Sequence, residues 1–303
     1  MKPAGTILKT NADTTAGGGT EGLLLGMVAV AIFSLTLPAT RVAVADLDPV
    51  FVGLGRGLVA ALFALGYLFA SRAPLPARRE WRQLAFVAAG VVVGFPLFSA
   101  LAMRDLPATH GGVMLAVLPL ATAMAGAAYA RERPSTTFWL LSVAGASAVA
   151  AFALREGGGQ LQSADFLLVA AVVCAATGYA VGARLTARLG GVAVISWALV
   201  LTVPLLVIPV ALAWPDTATP SVEAWIGFAY VSLASQFLGF IPWYRGLALG
   251  GIARVSQLQL AQPFLTIFAS AWLLGEGLDP VTIGFAVLVV IFVALSQRAF
   301  VQR

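Results

Sequence analysis

Charge is what this 303-residue chain has least of: Asp, Glu, Lys and Arg together make up 10% of it, against about 25% in an ordinary soluble domain. So few charges cannot clothe a water-facing surface, so lipid must be the main solvent. Cysteine is almost missing too. Cys174 stands alone inside an apolar run, which excludes an intrachain disulfide and a cysteine metal cluster and leaves a packing role. His110 is the single histidine, and nowhere do His, Cys and carboxylates fall at metal-ligand spacing. No G-x-x-x-x-G-K-[ST] loop is available to bind ATP, and the "GLGRG" at 53 to 57 follows no strand, so it is not a nucleotide loop. No acidic pair lies at mid-membrane depth for acid/base work or a carboxylate relay. These absences predict a protein that is not an enzyme and holds no metal or cofactor.

What is abundant is apolar sequence, 60% of the residues. A hydrocarbon core about 30 Å thick takes roughly 20 helical residues to cross. Ten stretches fit, at 22 to 45, 49 to 71, 82 to 104, 107 to 130, 136 to 154, 163 to 186, 191 to 213, 222 to 247, 251 to 274 and 278 to 298. Membrane strands would alternate in polarity; "LLSVAGASAVAAFAL" does not. The expected fold is an all-α polytopic membrane protein of ten transmembrane helices. The polar, Gly/Thr-rich residues 1–21 have no apolar core, so they read as a disordered cytoplasmic tail and not as a signal peptide.

Basic residues collect on one side. Lys2, Lys9, Arg72, Arg78, Arg79, Arg82, Arg131, Arg133, Arg184, Arg188, Arg245, Arg254, Arg298 and Arg303 fall in the termini and the even-numbered loops. Arg41, Arg104 and Arg155 fall on the other side, among Asp46, Asp48, Asp105, Glu156, Asp165, Asp216, Glu223, Glu276 and Asp279. Since Lys and Arg are retained in the cytoplasm, both termini are expected there, in an inner-membrane, multi-pass protein. The pI near 9.9 then suits an anionic lipid leaflet. No basic face interleaved with aromatics exists to bind nucleic acid, and no obligate protein partner is evident.

The chain also repeats itself. In "LAVLPLATAMAGAAYARER" and "LQLAQPFLTIFASAWLLGEG", Pro119 and Pro263, and likewise Glu132 and Glu276, stand 144 residues apart. "GFPLF" is answered by "GFIPWY", and "SLTLPATR" by "TGYAVGAR" at an offset of 143. Residues 22–155 and 163–298 are thus read as two five-helix repeats. Five being odd, the second enters the membrane inverted, an arrangement of secondary transporters that places substrate where the halves meet. Gly53, Gly57 and Ala61 recur every four residues, which lets helices approach closely. Each Glu after its helix reads as an end marker at the interface.

With its alanine-rich helix, proline, apolar helix and glutamate in each half, the chain resembles the drug/metabolite transporter superfamily in its ten-helix, EamA-type form. The similarity covers nearly everything beyond the tail. Pro49, Phe51 and Arg56 match a second-helix pattern of that family, whereas Phe33-Ser34 and Arg41 depart from the Trp-Gly and Lys of its first helix. The chain is most similar to bacterial aromatic amino-acid exporters, and that resemblance implies efflux of small metabolites.

Polar groups inside the spans are the site candidates. Arg56 can bind a substrate carboxylate bidentately, snorkel or tie helix ends through carbonyls. His110 shares a face with Met114, Ala121 and Met124 and can serve a cavity or merely end a helix. Ser256, Gln259, Pro263, Thr266 and Ser270 form a polar stripe, with Gln262 at its edge and Gln257 farther round; such a stripe either lines a cavity or glues helices. Tyr179, Trp197, Gln236, Trp243 and Tyr244 offer aromatic and amide contacts. Pro119 and Pro263 should kink their helices and free the carbonyls of Leu115 and Gln259, for substrate or for neighbouring hydroxyls. The expected substrate is an amino acid, aromatic or other, exported with broad specificity by alternating access and moved by secondary-active or facilitative transport. Another small metabolite or drug, a passive channel, or an intramembrane lipid-modifying enzyme are the alternatives.

Overall fold

The computed structural model describes residues 13–130, 135–156, 158–215, 220–250, 255 and 257–299. Every regular element among them is helical. In chain order they are α1 (Asp13–Ser34), α2 (Thr36–Ala43), α3 (Pro49–Ala70), α4 (Arg78–Val87), a π-helical stretch (Ala88–Gly94), α5 (Phe95–Asp105), α6 (Ala108–Met114), a 3-10 turn (Leu115–Val117), α7 (Leu118–Ala130) and α8 (Thr136–Glu156). The second half continues with α9 (Ser163–Leu189), α10 (Gly191–Leu212), α11 (Val222–Ala229), a second π-helical stretch (Tyr230–Leu238), α12 (Phe240–Gly250), a 3-10 turn (Gln257–Ala261), α13 (Gln262–Leu274) and α14 (Pro280–Ala299). Eight helical stretches are long and apolar enough to cross a membrane, and two shorter apolar helices, Leu258–Leu274 and Pro280–Ser296, follow them. The protein is multi-pass. Helix α1 starts at Asp13, upstream of residue 22, where the first span was expected to begin.

The halves share one register. The starts of α4 and α11, of α7 and α13, and of α8 and α14 are each 144 residues apart, and the two π-helical stretches and the two 3-10 turns occupy corresponding places. The turns have a local cause. Each sits just ahead of a proline, Pro119 or Pro263, which cannot donate to the carbonyl four residues back. The same physics breaks the first helix: Pro38 leaves the Ser34 carbonyl without its helical donor, and α1 gives way to α2 at Leu35.

Each half lends its first helix to the other. Helix α1 packs along α12, while α9 packs against α5, α7 and the first π-helical stretch. Glycine permits both approaches: a Cβ on Gly22 would lie 2.4 Å from the Gly250 nitrogen, and one on Gly90 would lie 2.4 Å from the Cys174 carbonyl oxygen. Cys174 is therefore a wall of a helix crossing, and Gly94 meets its Sγ.

Polar contacts sort the connections into two ends. Arg41 donates to the carbonyls of Met103 and Arg104 at 2.5 and 2.7 Å, the Ser221 amide and hydroxyl donate to Asp46, and Arg155 pairs with Asp279. Glu276 accepts from the amides of Ala108 and Thr109 at 2.9 and 2.8 Å, capping α6. These contacts join the odd-numbered connections. At the other end Arg188 pairs with buried Glu80, Arg245 with Glu21, and the Ser135 hydroxyl bonds the Ala299 carbonyl. Ser221 holds the Asp46 carboxyl below the usual carboxylate range, through its hydroxyl first and its amide second. Glu132, the expected twin of Glu276, lies outside the described residues, as do Arg131, Arg133, Asp216, Arg254 and Ser256.

Candidate substrate cavity

A pocket lined from both halves opens between them, with about 410 Å³ of empty space that includes open solvent. Its apolar wall comes from Phe33, Phe95, Phe240, Val91, Leu115 and Leu118, and its polar groups from Thr36, Arg56, Tyr179, Ser235, Gln236 and Gln262. A second space of about 180 Å³, lined by Leu37, Gly112, Leu115, Gln262, Pro263 and Thr266, shares Leu37, Leu115 and Gln262 with the first.

The π-helical stretches build its floor. A π-turn leaves backbone groups without their usual i−4 partner and recurs at functional sites. Here the Gln236 side-chain Nε2 donates to the Val91 carbonyl at 3.0 Å, so each half contributes one member of the bond. The preceding residue, Ser235, meets the Thr36 hydroxyl at 2.8 Å and accepts from Arg56 Nη2 at 3.1 Å. Arg56 is only 2% exposed, yet its Nε and Nη1 have no partner. Its place on α3 follows from Asp48, whose carboxylate caps that helix by accepting from Val50 and Phe51.

Four of the expected residues, Arg56, Tyr179, Gln236 and Gln262, thus come together at the larger space, and Thr266 borders the smaller one. The Thr266 hydroxyl donates to the Ser34 carbonyl at 2.9 Å, the carbonyl that Pro38 freed. Its hydroxyl is therefore committed to a helix break. The side chain of Gln257 lies outside the described residues.

Other expected residues stand elsewhere. His110 does not line the cavity: its Nε2 bonds Asp165 at 2.7 Å, both side chains are buried, and its ring lies 4.9 Å from that of Phe152. Asp165, read from sequence as a loop charge, uses its other oxygen to accept from the Gln162 amide at the start of α9. Trp197 packs edge-on against Trp81. Trp243 sits behind the lining, against Phe33 and Tyr179, and Tyr244 lies beneath Gly182, where a Cβ would be 2.3 Å from its hydroxyl. Gln259 is buried with both amide atoms unpartnered and borders neither space.

Thr36, Ser235 and the three phenylalanines escaped the sequence reading. Ser235 was within reach, since the Ser-Gln pair interrupts an otherwise apolar run; Phe33, Phe95 and Phe240 carry no signal that separates a cavity wall from core.

A model of the EamA-like transporter family matches this chain twice, over residues 20–154 and again over 162–297. The chain belongs to the EamA-like transporter family. It is 44% identical over 281 residues to the "Uncharacterized transporter YdeK" of Bacillus subtilis (strain 168), covering 92% of this chain and 98% of that one. A solved crystal structure superposes with a TM-score of 0.65 at 16% identity, covering 91% of this chain and 96% of its own; this likeness shows the fold alone. The two EamA repeats are the two halves that lend each other a helix, so the EamA cavity is built from both copies.

Proposed function

We propose that this EamA-type transporter is an inner-membrane carrier that exports amino acids, aromatic ones included, by alternating access. In this reading the chain crosses the membrane ten times as two inverted five-helix repeats, with both termini and the basic, even-numbered loops in the cytoplasm. Its partners are the substrate and the lipid bilayer. One observation carries the reading: a phenylalanine-walled pocket between the repeats that also holds a buried guanidinium with two unpartnered nitrogens. Apolar walls with a few amides and hydroxyls discriminate weakly between side chains, about 1–3 kcal/mol per methylene, which supports broad specificity. Export follows from the resemblance to amino-acid exporters.

Counterflow in proteoliposomes tests this. Unlabelled phenylalanine inside should accelerate the entry of labelled phenylalanine outside, with saturation. Fast, unsaturable entry without counterflow would make the protein a channel, and no entry of any labelled amino acid would remove the substrate class.

A further inference from the structure

The central cavity has a charge of one sign. Among the described residues that line it, Arg56 is the only ionisable group of permanent charge, and none is an Asp or Glu. Arg56 takes part in none of the ion pairs of the described residues. Its sole bond is to a neutral hydroxyl, at 3.1 Å through Nη2, while Nε and Nη1 remain unpartnered. A guanidinium buried in that way is costly unless an anion completes it, because its desolvation is then uncompensated. Nη2 has two N–H groups, and the one not given to Ser235 forms a planar fork with the free Nε or the free Nη1, which matches the two oxygens of a carboxylate.

The amides supply the opposite polarity. Gln236 must turn its nitrogen to the Val91 carbonyl, since two oxygens cannot bond each other, and this fixes Oε1 as a free acceptor. Gln262 Oε1 is likewise buried, unpartnered and part of the lining. A cation donor able to make several hydrogen bonds, yet not needing a carboxylate partner, fits two amide oxygens. An α-ammonium has three N–H groups and meets that description.

We propose that Arg56 receives the substrate's carboxylate and that Gln236 and Gln262 receive its ammonium, which restricts the cargo to α-amino acids and other small carboxylates and excludes amines that lack a carboxylate. This rests on the carrier reading above and deepens it. The apolar side chain of the substrate lies against Phe33, Phe95 and Phe240. Bare amines meet the unpaired guanidinium as like charges. Selectivity is thus strict for the head group and loose for the side chain.

The test is competition for labelled phenylalanine counterflow by three unlabelled compounds: phenylalanine, 3-phenylpropionate, which lacks the ammonium, and phenethylamine, which lacks the carboxylate. In the native protein phenethylamine should compete about 100-fold more weakly than phenylalanine, because a site built to bond a group rejects the analogue without it, and 3-phenylpropionate should fall between. In Arg56→Gln the gap between phenylalanine and phenethylamine should shrink to about threefold. Arg56→Lys keeps the charge without the fork and should retain the order with weaker phenylalanine competition. If both variants fail to elute as folded protein, the analogue series in the native protein decides alone. Counterflow with equal competition by phenethylamine overturns this assignment while leaving the carrier intact; absence of counterflow for every amino acid overturns both.

Discussion

Laid over each other at an offset of 144 residues, the two halves agree in backbone and disagree in side chains. The π-helical stretch of the second half carries Ser235 and Gln236 where the first has Val91 and Val92. Helix α3 carries Arg56 where α10, starting 142 residues later, has Ala198. Duplication thus supplied a frame with broken helices in matching places, and single substitutions in one copy or the other supplied the chemistry. Backbone geometry repeats because prolines and small residues act locally. A site for one asymmetric small molecule has no need of two-fold symmetry, and the polar groups are correspondingly unpaired.

The ends differ in the same way. At the 144-residue offset from His110 and Asp165 stand Arg254 and Glu21. Arg254 lies outside the described residues, but Glu21 pairs with Arg245 at 2.7 Å with both side chains exposed, whereas His110 and Asp165 are each 4% exposed. Breaking each pair should therefore separate the ends most strongly. Asp165→Ala should lower stability by about 3–5 kcal/mol, as expected when a buried polar pair loses one member, and Arg245→Ala by at most about 1 kcal/mol. Thermal unfolding in detergent checks both, and equal midpoints would cancel the distinction.

Next in size is a test of the shared frame. Gly90→Val places a side chain against the Cys174 carbonyl and should cost about 1–3 kcal/mol or more as α9 is pushed away. At Gly66, inside α3, an added Cβ meets nothing within 4 Å, and valine should be neutral or stabilise by a few tenths of a kcal/mol, about the margin by which glycine is the poorer helix former. The change most telling for function comes from making the halves alike. Gln236→Val copies the first half's Val92, strips the Val91 carbonyl of its donor at a cost of about 1–3 kcal/mol, and should abolish counterflow in protein that remains folded. Unimpaired counterflow would mean that the asymmetry is incidental.

Much of this arrangement was legible early. Apolar run lengths predict an all-helical membrane chain, of which eight helical stretches are long and apolar enough to cross a membrane, and the Pro-to-Glu spacing points to a repeat, which the family match finds at 20–154 and 162–297. Arg56 was legible as a candidate beside its snorkelling and helix-tying alternatives, and Gln236 as one of five aromatic and amide candidates; both line the larger space. The sequence leaves His110 between a cavity and a helix-end role, and its partner cannot be read there: Asp165 is 55 residues away, and nothing local announces that the start of α9 will reach α6. Glu276 reads as a helix-end marker, yet it caps a helix of the other half.

Composition and periodicity by themselves determined that the chain is helical, lives in lipid and is duplicated, because these depend on local physics: backbone groups in hydrocarbon must be satisfied within each segment, and proline breaks a helix wherever it stands. Only the tertiary structure decided which polar residues share a cavity. Thr36, Arg56 and Ser235 meet across three helices and both halves, and Thr266, two positions along the same stripe from Gln259, turned out to be bonded to Ser34. Partner choice over such separations is set by how helices pack, through glycine contacts and the exchange of α1 and α9, and no spacing along the chain records it.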